Sequence, residues 1–130
     1  MSKPTKIEYS QTPEFRKDLN RLIKRFRTLE EDLETAKRHA IELLHIYGTD
    51  NQSVFAIPDL CSDAVRVYKV KKFACRALKG RGVRSGIRVI YLLQVAEAKV
   101  TFVEIYFKGD KEIENRERVI QCLKGLVERT

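Results

Sequence analysis

The chain has 130 residues, of which 43% are hydrophobic and 34% charged, with a net charge of +8. That composition suits a single globular domain over 1–130 with its own core and excludes a low-complexity or disordered chain. No apolar run approaches the roughly 18 residues of a membrane span, and MSKPTK lacks the apolar stretch of a signal peptide, so a cytoplasmic protein with no membrane association is expected.

Lys6 to Ser10 reads as a short strand, with Ile7 and Tyr9 alternating against charged neighbours. Thr12 then has the character of an N-cap, followed by Pro13 at the first helical position and Glu14 in the first turn. Phe15, Leu19, Leu22 and Phe26 recur at helical spacing and define a core stripe. Thr28 with Glu31 reads as a capping box opening a second helix. Its apolar period runs through Leu33, Ala36, Ala40, Leu43 and Tyr47 to a stop at Gly48. Two helices broken near Thr28 predict a helical hairpin. Gly48 to Asp63 is turn-rich and holds Pro58, so it reads as a long connector.

Val65 to Phe73 and Ile87 to Val95 are rich in β-branched and aromatic residues and predict adjacent strands. Between them lies a loop punctuated by Gly80, Gly82 and Gly86. After a tight turn at Glu97 to Lys99, Val100 to Lys108 predicts a further strand, apolar on both faces apart from Glu104. A last helix from about Glu114 to Val127 carries Val119, Ile120, Leu123 and Leu126 on one side. The order β, α, α, β, β, β, α predicts an α+β domain: an N-terminal strand and helical hairpin, a mainly antiparallel sheet with a basic concave face, and a C-terminal helix.

Charge is distributed unevenly. Ala64 to Ala96 contains no acid and carries Arg66, Lys69, Lys71, Lys72, Arg76, Lys79, Arg81, Arg84 and Arg88. These nine charges exceed the net +8, so the remainder of the chain sums to about −1. A solvated face or loose adhesion to nucleic acid is the ordinary meaning of such a run. Here, however, the cations sit among strand residues. Lys69 and Lys71 are two apart and leave the same face, with Arg88 on the neighbouring strand, an arrangement suited to holding a phosphate.

Little else offers chemistry. Cys61, Cys75 and Cys122 are odd in number with no CxxC, which argues against a disulfide framework and against a structural zinc site. His39 and His45 are six apart on one helix and point to different faces, so a metal pair is not expected. No cofactor is implied.

The element order, YKVK at Tyr68 to Lys71, SGIRVIYLL at Ser85 to Leu93 and VTFVEIYFKGDK at Val100 to Lys111 together resemble the RelE/ParE superfamily, toxins of type II toxin–antitoxin systems. The similarity runs from about Lys6 to Leu123. What it implies is a small ribonuclease-type fold that enters the ribosomal A site and cuts messenger RNA, with a cognate antitoxin as partner. In that branch a lysine pair before the glycine turn and an arginine on the next strand act on the scissile phosphate; by position these are Lys69, Lys71 and Arg88. A further basic residue after the last strand falls at Lys108 or Lys111.

The RNA 2′-hydroxyl attacks its own phosphate, so the reaction needs neither metal nor protein nucleophile, only positioning, proton transfer and charge stabilisation. Arg88 is expected to hold the phosphate oxygens. Lys69 or Lys71 is expected to accept the 2′-hydroxyl proton, because crowded like charges favour a neutral amine. Lys72, Arg76, Lys79, Arg81, Arg84, Lys111 and Arg116 are expected to follow the RNA backbone. The chain departs from the family in its C-terminal segment, EIENRERVIQCLKGLVERT, which has no Tyr or His for proton transfer or stacking. Arg116, Tyr106 and Tyr91 are the substitutes the sequence offers. The alternative implied by the same resemblance is a ParE-like toxin that inhibits a topoisomerase by binding and cuts nothing.

Overall fold

The computed structural model describes residues 5–128, with side chains to residue 126. The opening residues Met1 to Pro4, part of the segment read above for a leader, lie outside that range. The architecture is α+β, built on one five-stranded sheet in the order β1, β5, β4, β3, β2. The strands are β1 (Glu8–Gln11), β2 (Val54–Ala56), β3 (Val65–Val70), β4 (Ile87–Gln94) and β5 (Lys99–Phe107). Strand β1 runs parallel to β5 and the other three pairings are antiparallel, so the sheet is mixed.

The first helix, α1 (Pro13–Ile23), starts as its sequence dictates: the Thr12 hydroxyl accepts from Phe15 N at 3.1 Å and Pro13 needs no donor partner. It buries Phe15, Leu19 and Leu22. The second helix opens as α2 (Leu29–Ala36), passes through a π-helical stretch at Lys37–Glu42 and closes as α3 (Leu43–His45). Thr28 does not form the capping box. Its hydroxyl donates to Asp32 at 2.6 Å and accepts from Ala77 N at 2.9 Å, because the basic loop docks on this helix start and takes the hydroxyl for itself.

The helical hairpin covers one face of the sheet, where Phe15, Leu19, Leu29 and Ile41 meet Val70, Val89, Tyr91, Phe102 and Ile105. The last helix, α4 (Arg116–Glu128), covers part of the other face, where Val119 meets Val67, Ile90, Leu92, Val103 and Tyr106. The chain is therefore layered helix, sheet, helix. Ile120 is not on the packed side of α4: it is 38% exposed, while Cys122, Leu123 and Leu126 face the sheet.

Two further differences bear on the site. The connector at 48–63 is not structureless, since Val54–Ala56 forms edge strand β2 against β3 and Pro58–Leu60 makes a 3₁₀ turn. A β-bulge interrupts the β4–β5 register: Ile90 pairs with Glu104 while Tyr91 pairs with Phe102, leaving Val103 as the extra residue. Strict alternation from Phe102 would send Glu104 and Tyr106 toward the helical hairpin. The bulge turns both to the α4 face instead.

Candidate nucleic-acid interface

The α4 face of the sheet gathers the strand cations. Lys69 shares this face with Val67, and Arg88 shares it with Ile90 and Leu92. Lys71 lies one residue past the end of β3, with its Nζ 4.8 Å from the centre of the Phe55 ring. Phe55 is directly opposite Lys69 in the β2–β3 register, so it opens onto the same side. Tyr106 is opposite Arg88, and Lys108, exposed, lies one residue past the end of β5, where its N donates to Gly86 O at 2.8 Å and extends the ladder with the same alternation. Lys69, Lys71, Arg88 and Lys108 are thus brought to one side of the sheet.

Arg88 is held without being neutralised. Its Nη1 donates to the carbonyls of Lys71 at 2.9 Å and Ile87 at 3.2 Å, and among the described residues it has no carboxylate partner. A guanidinium fixed by neutral acceptors keeps its charge and its remaining N–H groups for an anion. The other cations of the set are treated differently. Lys69 forms an ion pair with Glu114, and Lys111 pairs with Glu104 at 2.5 Å while lying 5.5 Å from the centre of the Tyr106 ring.

Both carboxylates are buried, Glu104 to 2% exposure and Glu114 to 7%. Glu104 also accepts from Asn115 N at 2.7 Å, which ties the start of α4 to the middle of the sheet. Burial alone would raise the Glu114 carboxyl, but the Lys69 ammonium outweighs it and holds the group below its ordinary value. Tyr106 is pushed up, chiefly by burial, against the opposing pull of the Lys69 ammonium. The crowding of like charges on which the proton-acceptor reading of Lys69 rests is not its environment: its closest charged neighbour is a carboxylate.

Comparison of the chain with protein-family models, with curated proteins and with solved structures finds no match.

The basic loop between β3 and β4 is a fixed element. Phe73 and Cys75 are buried in the hairpin-side core. Ser85, fully buried, donates to Phe73 O at 2.5 Å and accepts from Ile87 N at 3.1 Å, pinning the two ends of the loop together. Arg76 turns to Asp32 and Glu31 on α2. Lys72, Lys79, Arg81 and Arg84 are exposed and have no ion pair among the described residues. Arg116 reaches Asp59 and so closes α4 onto the 3₁₀ turn. Arg76 and Arg116 are therefore engaged with acids of their own, whereas Lys71, Lys72, Lys79, Arg81, Arg84, Arg88 and Lys108 are open to an anionic partner.

Of the aromatic substitutes, Tyr106 belongs to this face. Tyr91 points to the hairpin side, where its hydroxyl is 2.7 Å from His45 Nε2. The sequence reading missed Glu114, which carries no motif, and treated Glu104 only as an exception within an apolar strand. That exception was the available signal, since a charge in a central strand must find a buried partner. Among the described residues, no three of His, Cys, Asp and Glu are grouped so as to hold a metal.

Proposed function

We propose that this protein is a toxin of the RelE/ParE kind that cuts messenger RNA on the ribosome, in the cytoplasm, and is held in check by a cognate antitoxin. The observation that carries this reading is Arg88: a guanidinium clamped by two backbone carbonyls, free of carboxylates among the described residues, directly across from Tyr106 and on the same face as Lys69. A phosphodiester lying over β3 to β5 would meet Arg88 at its non-bridging oxygens. Lys71 and Lys108 add charge from either side, and Lys72, Lys79, Arg81 and Arg84 follow the backbone on the rigid loop.

The chemistry is internal transesterification. The 2′-oxygen attacks phosphorus, charge accumulates on the phosphoryl oxygens, and the 5′-oxygen leaves. Arg88 stabilises that charge where it forms. Tyr106 supplies the aromatic hydroxyl that the C-terminal segment lacks, from a position on the sheet itself.

The test is incubation of the purified protein with ribosomes programmed with a defined messenger, followed by mapping of new 3′ ends. Cuts confined to A-site codons are expected, and Arg88→Ala should slow them by about 10²–10³-fold, the usual cost of removing one donor to a developing oxyanion. An intact messenger refutes the reading. Intact messenger combined with blocked DNA supercoiling would transfer the function to topoisomerase inhibition by binding.

A further inference from the structure

Lys69 and Glu114 form an ion pair on the face that Arg88 shares. The Lys69 side chain is 16% exposed and that of Glu114 5%. The Glu114 oxygen facing the ammonium is buried and meets it as an ion pair. The ammonium is thereby held from one side by a buried carboxylate. A simple phosphate clamp would not need a buried counter-ion, which weakens its hold on an anion. A group that must give up a proton in one direction does need to be fixed in place.

Resting on the proposed cleavage of RNA, we propose that Lys69 is the proton donor to the departing 5′-oxygen and that Glu114 is the positioning residue that holds its ammonium in place on this face. The 2′-oxygen forms a bond to phosphorus and its proton passes to water. As the bond from phosphorus to the 5′-oxygen breaks, the Lys69 ammonium transfers a proton to that oxygen. The products are a 2′,3′-cyclic phosphate and a 5′-hydroxyl, and the Lys69 amine is reprotonated from water. Glu104 holds Lys111 beside the Tyr106 ring and anchors Asn115 next to Glu114, so both carboxylates act on the geometry of this step without touching RNA.

A leaving group that needs no proton isolates the step. Ribosome-bound messenger carrying a bridging 5′-sulfur at the cut site departs as a thiolate. On ordinary RNA, Lys69→Met should slow cleavage by about 10²–10⁴-fold, and Glu114→Gln by about 10²-fold, the scale of a small misplacement of a catalytic group. On the sulfur substrate both should recover to near the wild-type rate, while Arg88→Ala should stay slow on both substrates. Melting curves establish which variants fold, and if Glu114→Gln does not, Lys69→Met carries the test alone. Failure of Lys69→Met to recover on sulfur, with the wild type cutting normally, overturns the proton-donor role and leaves cleavage standing. Absence of cleavage by the wild type itself overturns both.

Discussion

Glu104 gives the most demanding test of how this face is built. Its carboxylate is 2% exposed and serves two partners, Lys111 at 2.5 Å and Asn115 N at 2.7 Å. Glu104→Ala removes an acceptor from a backbone N–H, worth about 1.5–3 kcal/mol where the acceptor is charged. The Lys111 pair adds less, about 0.2–1 kcal/mol, because that side chain is 39% exposed and screened by water. The one lost methylene adds about 1 kcal/mol of lost packing. The sum is about 3–5 kcal/mol, or roughly 10–20 °C in Tm for a domain of this size. Urea denaturation gives the free energy, and amide exchange shows where the loss falls: α4 and the segment from Lys111 to Asn115 should exchange faster, while α1 keeps its protection. A variant melting within about 3 °C of the wild type would refute the claim that this buried charge ties α4 to the sheet.

His45 is held well below its ordinary value, to about 4, chiefly by burial and then by Arg66. The unfolded chain takes up this proton near pH 6.5 and the folded one only near 4, so the fold keeps its full stability above about pH 6.5 and loses about 3 kcal/mol from this group as pH falls to 4. His45→Leu should flatten that part of the stability profile, and an unchanged slope would rule the assignment out. Ser85→Ala leaves Phe73 O and Ile87 N short of a partner in a fully buried place, at a cost of about 2 kcal/mol; trypsin should then cut at Arg81 or Arg84 faster than in the wild type. Gly86 has φ +87°, and a Cβ there would approach the Phe107 ring to 3.1 Å, so Gly86→Ala should lower Tm measurably. If about six of the open cations contact single-stranded phosphates, log K should fall with log salt at a slope near −4, and a flat dependence would contradict the interface.

The order and type of the main elements were legible because hydrophobic period and end signals agree at each of them, from Thr12 and Pro13 to Gly48 and the turn at Glu97 to Lys99. Strand β2 was hidden because three residues, two of them exposed, carry too short a pattern. Thr28 and Glu31 mimic a capping box, yet tertiary docking of Ala77 takes the hydroxyl. At the site, the shared face of Lys69 and Arg88 follows from simple alternation. Tyr106 and Glu104 do not, because alternation along β5 assigns them to the opposite layer and only the extra residue at Val103 reverses this. Glu114 is outside any strand and meets Lys69 solely through the docking of α4, a contact between distant parts of the chain that no local pattern records.

The parallel ladder between β1 and β5 also sets an order of assembly. Ser10 and Thr101, bonded through their hydroxyls, are 91 positions apart, and closing so long a span carries an entropic penalty of about 4 kcal/mol before any contact repays it. Neighbouring β3, β4 and β5 can zip sequentially, so the first strand to leave the ribosome is the last to find its place. A tag or fusion that restrains the beginning of the chain would therefore tax the final docking step while leaving the phosphate-facing strands able to form.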